Sequence, residues 1–270
     1  MRGFALATVL VAGFWGPARA ADLAALDALI HAYPEQLAGY DANDLIWRDG
    51  TRMPLSDGRL DKSFEEMLRG GSIFDQIRLS YPAGTSAAAL APQGDPGRVR
   101  NRRFFDKMYG SCWKGEVGPR LVPVVWLPRS WGRTVEITSV NGIVAKLAQV
   151  SEELDALPPA IKRYAYPPAG TYNCRTVADT GEPSMHSWGA AIDINAARAA
   201  YWLWPRAAAA DILPAQIIDI FERHGFIWGG KWLHYDTMHF EYRPELLDVK
   251  RSPVEPDVLH APAVENAVVH

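Results

Sequence analysis

The chain has 270 residues, a formal net charge of -3, ten tryptophans and two cysteines. About 250 residues beyond a leader suit one domain with a sizeable core and an elaborated N-terminal part. The small negative charge argues against nucleic acid as a partner. The sequence contains neither an internal repeat nor a low-complexity linker.

The N-terminus has the pattern of a secretory signal peptide. Met1-Arg2 is followed by an apolar run over residues 3–16, and Ala18 and Ala20 then stand at the small-residue positions of a cleavage site. We therefore expect a signal peptide over residues 1–20, cut before Ala21. The apolar run is too short to span a membrane comfortably. This predicts an exported protein, periplasmic or extracellular, that is monomeric and has no stable membrane anchor.

Five segments between the leader and the C-terminus carry local signals for helix or strand. In chain order they are a helix over Asp22–Tyr33, a short helix opened by the capping box Ser63–Glu66, a strand over Thr134–Thr138, a helix capped by Asn141 that ends before Pro158, and a helix from Pro214 to Gly225. From residue 251 onward, prolines and weak periodicity predict a loose tail.

Cys112 and Cys174 are the two cysteines. An exported chain allows them to form a disulfide, and closing a loop of about 60 residues would stabilise the fold by roughly 4 kcal/mol. Two buried free thiols remain the alternative. A catalytic thiol is disfavoured, because the sequence signals no pairing of cysteine with histidine.

Two short strands near the C-terminal end combine an apolar face with potential metal ligands. In Ala190–Asn195, strand periodicity places Asp193 on the face opposite Ile192 and Ile194. In Met238–Tyr242, the same alternation separates His239 and Glu241 from the apolar residues. Each strand therefore presents a candidate ligand opposite a face suited to a core.

A catalytic zinc ion is typically held by three side chains from His, Asp and Glu, with water in the fourth position. His186, Asp193 and His239 could fill these places, which leaves Asp236 to handle a proton. His186 lies just before the first strand, and Gly189 allows a tight turn between the two. The residue types are those of a metal hydrolase.

The sequence motifs that contain these residues resemble those of the zinc D-Ala-D-Ala carboxypeptidases of the VanY type, in the lysostaphin/D-Ala-D-Ala/hedgehog metallopeptidase group. Their pattern is Ser-x-His-x-x-Gly-x-Ala-x-Asp, followed by Asp or Glu-x-x-His. The segments Ser184–Asp193 and Asp236–His239 fill every position, and Gly229-Gly230-Lys231-Trp232 matches a Gly-Gly-x-Trp string. The resemblance is strong over 172–247.

This resemblance implies Zn2+ as the cofactor, His186, Asp193 and His239 as its ligands, and Asp236 as the general base. It also implies that Arg175 faces the scissile carbonyl and shares the charge of the tetrahedral intermediate with zinc. His234 is assigned to the wall of the site. The expected substrate is a peptidoglycan stem peptide, and a D-alanyl-D-alanine carboxypeptidase is favoured.

Three other functions stay open. An L-Ala-D-Glu-type peptidoglycan endopeptidase would share the metal site, and a catalytically inert cell-wall binding module could keep the zinc. A serine peptidase is disfavoured, because Ser111–Lys114 and Ser139–Asn141 match two short penicillin-binding motifs but Lys-Thr-Gly is missing from the sequence.

The sequence also predicts where the arginines and tryptophans near the motifs lie. The cluster of Arg98, Arg100, Arg102 and Arg103 is predicted to form a solvated face, with attraction of anionic cell-wall peptide as the alternative. Some of the tryptophans around the motifs are expected to line a substrate groove and the others to pack in the core.

The mixture of helices and short strands without strict alternation predicts an α+β fold in which an antiparallel sheet carries the metal. The family fold, a small antiparallel sheet with helices packed around it, agrees. We divide the chain into a signal peptide (1–20), an N-terminal helical elaboration (21–105), a zinc peptidase domain (106–250) and a C-terminal tail (251–270).

Overall fold

The computed structural model describes residues 17–84, 94–204 and 213–247. Helices here pack around small sheets whose strands pair antiparallel, so the expected α+β class is confirmed. Within the described ranges, every helix is too short or too polar to cross a membrane. Residues 1–16 of the predicted signal peptide and the predicted tail over 251–270 lie outside these ranges.

The α-helices of the described ranges are α1 (Pro17–Ala32), α2 (Phe64–Gly70), α3 (Ile73–Ile77), α4 (Arg102–Tyr109), α5 (Ile143–Ala156), α6 (Pro159–Lys162) and α7 (Ala215–Arg223). The strands are β1 (Leu37–Tyr40), β2 (Asp44–Trp47), β3 (Arg52–Pro54), β4 (Leu121–Trp126), β5 (Arg133–Thr138), β6 (Pro168–Gly170), β7 (Ala191–Ile194), β8 (Phe226–Trp228) and β9 (His239–Tyr242).

The strands form three sheets, with orders β1-β2-β3, β4-β5 and β6-β7-β9-β8. The four-stranded sheet carries both strands predicted for the site. Its apolar face packs against α7, where the rings of Phe221 and Phe240 stack with centroids 3.8 Å apart. The opposite face of β7 and β9 is left for polar side chains.

The N-terminal segment shares one hydrophobic core with the four-stranded sheet. Leu26 and Leu29 of α1, Trp47 of β2 and Phe240 of β9 belong to the same buried cluster. Helix α1 also packs against the turn Pro244–Leu246 at the other end of the chain. The domain boundaries stay a prediction, but the core is continuous across residue 105.

Most local signals produced the expected elements. The capping box at the start of α2 is present, with Ser63 and Glu66 bonding each other's backbone. The prediction that Asn141 caps α5 is wrong, because Gly142 is the N-cap residue. The backbone of Asn141 lies in the left-handed region with φ 57°. Its side-chain Nδ2 donates a hydrogen bond to the hydroxyl of Tyr109 at 3.3 Å. The three-stranded sheet β1–β3 lies in a segment predicted to be helical.

The disulfide between Cys112 and Cys174 is present, with the Cα atoms 5.7 Å apart. It joins the 3₁₀ turn Cys112–Lys114, which follows α4, to the loop between β6 and β7. The prediction of this bond is confirmed, and the alternative of two free thiols is wrong. The bond anchors the residue immediately before Arg175.

We expect replacement of both cysteines by alanine to lower the free energy of unfolding by roughly 2–5 kcal/mol, because the bond closes a long loop in the unfolded chain. Chemical denaturation with and without reductant checks this. Reductant should shift the midpoint of the wild type and leave that of the double variant unchanged. Equal stability of both proteins would contradict the expectation.

Candidate active site

The pairing of β7 with β9 brings two of the predicted ligands together. Asp193 lies directly opposite His239 in the antiparallel register, and Ala191 lies opposite Glu241. Because side chains alternate along a strand, Asp193, His239 and Glu241 project on the same face. Their apolar neighbours Ile192 and Phe240 have no exposed surface and fix that orientation from the core side.

His186 reaches the same point from a 3₁₀ turn, Met185–Trp188, that precedes β7. The turn ends at Gly189, whose φ of +64° favours glycine. A Cβ atom at Gly189 would also lie 2.7 Å from Leu121 Cδ2. The predicted role of this glycine in the tight turn is therefore confirmed.

Three ligand atoms converge at this place. Asp193 Oδ1 lies 3.0 Å from His186 Nε2 and 3.1 Å from His239 Nδ1. The two ring nitrogens are 3.1 Å apart. Among the described residues, this is the group of His, Cys, Asp and Glu side chains whose spacing suits a metal ion.

The remaining nitrogen of each imidazole is already bonded. His186 Nδ1 donates to the carbonyl of Thr171 at 2.7 Å, and His239 Nε2 donates to Glu241 Oε2 at 2.8 Å. When both rings are neutral, these bonds place the lone pairs on His186 Nε2 and His239 Nδ1, which face each other. Metal-binding histidines in proteins have this arrangement, with the second nitrogen bonded to a carbonyl or carboxylate.

The spacing also fits zinc. Ligand atoms bound at about 2.0–2.2 Å in a tetrahedron lie roughly 3.3–3.6 Å from one another. The observed separations of 3.0–3.1 Å are slightly shorter. Two imidazole nitrogens and one carboxylate oxygen form a donor set that a catalytic zinc site uses. The donor set and the tautomers therefore fit the metal that the resemblance implies.

The electrostatics of the cluster favour a positive charge at its centre. Burial lowers the pKa of His239, but hydrogen bonds to Asp193 and Glu241 outweigh burial and raise it to about 9. Burial raises the pKa of Asp193, yet His186 and His239 hold it well below its usual range. A proton or a metal ion can supply the positive charge that these carboxylates stabilise.

Asp236 lies in the cleft beside the cluster, and one of its oxygens has no partner. Its Oδ1 atom is shielded from solvent and accepts no hydrogen bond within the part of the chain that the structure describes. Burial raises the pKa of Asp236 to about 6, with His239 opposing the shift and Asp193 adding to it. An unpartnered carboxylate oxygen with a raised pKa can accept and return a proton near neutral pH.

The Gly-Gly-x-Trp string holds Asp236 in place. The amide of Asp236 donates to the carbonyl of Gly229 at 3.0 Å. A Cβ atom at Gly229 would lie 2.7 Å from the Asp236 carbonyl oxygen, and one at Gly230 would lie 2.2 Å from the Trp228 ring. The ring of Trp232 packs 5.6 Å from that of His239. Both glycines are therefore required by close packing.

A cleft of about 220 Å³ opens onto the cluster. Arg175, Asp236 and His239 line it, together with Trp204 and Trp232. Arg175 is exposed on the loop after β6, where its amide donates to Ser187 Oγ at 3.2 Å and its carbonyl accepts from the same hydroxyl at 2.5 Å. The structure thus places Arg175 at the cleft that contains His239.

His234 forms part of the wall, as expected. Its Nδ1 atom lies 2.6 Å from Asp95 Oδ2, and its ring packs 4.6 Å from that of Trp202. Trp204 and Trp232 line the cleft, whereas Trp188 and Trp228 are buried in the core. The tryptophans near the motifs therefore divide between groove and core.

The arginine cluster is only partly a solvated face. Arg102 and Arg103 are exposed on α4, but Arg98 is buried, the side chain of Arg100 is only 8% exposed, and both line the cleft. Arg98 pairs with Asp179 at 2.5 Å, and Arg100 pairs with Glu241 at 2.6 Å. The solvated-face prediction is wrong for these two residues, because carboxylates from distant parts of the chain compensate their charges.

Comparison with protein families agrees with the fold class and gives a match over part of the chain. Residues 178–242 match the family model described as D-alanyl-D-alanine carboxypeptidase. The match confirms, over this stretch of the chain, the resemblance inferred from the sequence. The match contains His186, Asp193, Asp236 and His239 and begins after Arg175. Neither a curated protein nor a solved structure matches the chain.

The match supports a peptidase that acts on peptidoglycan-derived material, in a family of zinc enzymes. It covers 65 of the 270 residues. The ligand, base and arginine roles stay predictions for this chain.

We expect His186→Ala and His239→Ala to abolish zinc binding, because each removes one of three ligand atoms. His234→Ala is the matched control, since His234 lies in the same cleft but outside the cluster, and it should bind one zinc per chain like the wild type. Elemental analysis after dialysis measures the content. Full zinc content in the His186 or His239 variant would remove that residue from the ligand set.

Proposed function

We infer that the protein is a zinc metallopeptidase of peptidoglycan stem peptides and that it acts as a D-alanyl-D-alanine carboxypeptidase. The observation that carries this proposal is the meeting of two imidazole nitrogens and one carboxylate oxygen beside the unpartnered oxygen of Asp236. The family match over 178–242 supports the substrate class.

His186, Asp193 and His239 would hold the metal. Zinc bound by such a set supplies Lewis acidity and lowers the pKa of water to about 7. His186 and His239 are buried and Asp193 is partly buried, so a charge held there would lie in a medium of low dielectric and act strongly on a substrate carbonyl.

Asp236 would act as the general base and then as the general acid. Its free Oδ1 atom can take a proton from the attacking water, and burial already weakens its preference for the charged form. The protonated carboxyl group can then deliver that proton to the leaving amine. This route uses a single residue for both transfers and requires no covalent acyl intermediate.

Arg175 would stabilise the developing oxyanion from the side of the cleft. Its guanidinium offers several hydrogen-bond donors in a planar fork. The disulfide at Cys174 and the backbone bonds to Ser187 limit the movement of the loop that carries it. A restrained donor loses less entropy when it binds a transition state.

Digestion of purified muropeptides with zinc-loaded protein, followed by mass spectrometry, tests the function. Loss of a terminal D-alanine from pentapeptide stems is the expected result, and it should be sensitive to a metal chelator but not to a β-lactam. Cleavage between L-alanine and D-glutamate would instead identify an endopeptidase. Intact substrate after incubation with zinc-loaded protein would favour a binding module.

We expect Asp236→Asn to retain zinc and to lose roughly 10²–10⁴-fold in turnover, because a general base contributes about that much. Zinc content and kcat are measured on the same preparation. Asp193→Asn is the comparison, and it should lose the metal. If Asp236→Asn loses zinc while Asp193→Asn keeps it, the roles of the two carboxylates are exchanged.

For Arg175→Ala we expect an unchanged zinc content and a decrease in turnover on the order of 10²–10³-fold, as for the loss of one oxyanion donor. Arg175→Lys should remain impaired, since a flexible point charge does not reproduce the planar fork. Steady-state kinetics separate kcat from KM. Near-normal kcat in the alanine variant would exclude the role.

A further inference from the structure

Glu241 is a buried carboxylate in direct contact with one of the candidate ligands. It lies on β9 two positions after His239, on the same face of the strand, and it has no exposed surface. Its Oε2 atom accepts the Nε2 hydrogen of His239 at 2.8 Å. This contact sets the tautomer that leaves Nδ1 of His239 free to face Asp193 and His186.

Two arginines compensate the charge of Glu241. Arg100 Nη2 donates to Oε2 at 2.6 Å, and Arg243 Nη1 lies 3.3 Å from Oε1. Neither guanidinium faces open solvent, since the side chain of Arg100 is 8% exposed and that of Arg243 is fully buried. A buried carboxylate stays ionised only with such partners, and an ionised acceptor makes the imidazole that donates to it a stronger ligand.

Residues 97–100 pack closely against the carboxylate of Glu241. Gly97 has a φ of +98°, and a Cβ atom there would lie 2.5 Å from Ile227 Cδ1 and 3.1 Å from Glu241 Oε1. The carbonyl of Gly97 accepts a hydrogen bond from Arg243 Nη1 at 2.9 Å. The N-terminal part of the chain is therefore packed against Glu241 so closely that a side chain at position 97 would not fit.

The network continues away from the metal cluster. Arg243 Nε donates to Glu245 Oε1 at 2.5 Å, and Glu245 Oε2 accepts from the hydroxyl of Tyr33 in the loop after α1 at 2.7 Å. Glu245 is as buried as Glu241 and also bonds Arg243. Its other partner is Tyr33 rather than a candidate metal ligand. The chain thus contains its own control for Glu241.

We propose that Glu241 is the positioning residue of the metal centre and that Arg100 and Arg243 stabilise its negative charge. Residues 97–100 of the predicted N-terminal elaboration then contribute to the site. Glu241 fixes the ring orientation and the tautomer of His239 and strengthens its Nδ1 atom as a ligand. This inference rests on the proposed zinc centre, but it concerns metal affinity rather than the bond that is cut.

Zinc affinity of Glu241→Gln is the first test. The glutamine keeps the shape but removes the negative charge, and we expect zinc to bind 10–100-fold more weakly, as for other partners of metal-bound histidines. Competition with a chromophoric chelator gives the affinity. In zinc-loaded wild type, NMR of 15N-histidine should show a hydrogen-bonded Nε2 proton on His239, and the variant should lose that signal or shift it.

A second variant separates positioning from stability, because Glu241→Gln also leaves Arg100 buried beside an uncharged partner. In the double variant Glu241→Gln/Arg100→Met, the unpaired charge of Arg100 is gone. We expect its unfolding temperature to return toward that of the wild type while its zinc affinity stays low. Recovery of both properties would reduce Glu241 to a structural charge and overturn the proposal.

Glu245→Gln is the matched control. It should lower the unfolding temperature yet bind zinc as the wild type does and keep the His239 signal. Wild-type affinity in Glu241→Gln, or an equal loss of affinity in Glu245→Gln, overturns the proposal, and so does a wild type that binds no zinc. If the wild type binds zinc and cleaves no muropeptide, the proposed function fails and the role of Glu241 stands.

Discussion

The candidate site depends on the register between β7 and β9. Asp193 faces His239 because these two strands pair in one particular alignment, and a slip of either strand by one residue would turn its own candidate ligand into the core. The buried apolar residues on the other face prevent that shift, since Ile192 and Phe240 would then have to leave the core. Hydrophobic packing on the core face therefore helps to fix the positions of these two candidate ligands.

The charged groups of the cluster lie where water is largely excluded. They therefore interact strongly with one another, and each of them needs a partner that compensates its charge. The cluster meets this demand through residues far apart in the chain, because Glu241 supports His239 and is itself supported by Arg100 and Arg243. Asp236, beside the cluster, keeps a carboxylate oxygen that no described group satisfies. A site that must accept a proton is the place where such an oxygen is useful.

The sequence predicted the parts of the structure that depend on local chemistry. Strand alternation indicated the faces of Asp193 and His239, the capping box indicated the start of α2, and an exported chain with two cysteines indicated the disulfide. The mixture of short helices and strands indicated the fold class, and the motifs showed a resemblance to the family whose model matches residues 178–242.

It could not predict contacts between distant segments. Periodicity places Glu241 beside His239 but says nothing about Arg100, which belongs to a stretch that resembles a solvated basic face. The sheet β1–β3 is built from very short strands, too short to give a clear alternation. Asn141 has the residue type of a helix cap, yet a left-handed turn moves the cap to Gly142. In each case tertiary packing decided among choices that local propensity left open.

The long separations in the charge network have a consequence for the order in which the protein acquires its structure. Arg100 and Glu241 are 141 positions apart, and Tyr33 and Glu245 are 212 positions apart. During synthesis the N-terminal residues leave the ribosome first, and their charged partners follow only when the chain is nearly finished. Contacts between such distant residues form late, because closing a long loop costs entropy before the contact contributes. We therefore expect strand β9, which carries the candidate ligand His239, to obtain its supporting charges late in folding.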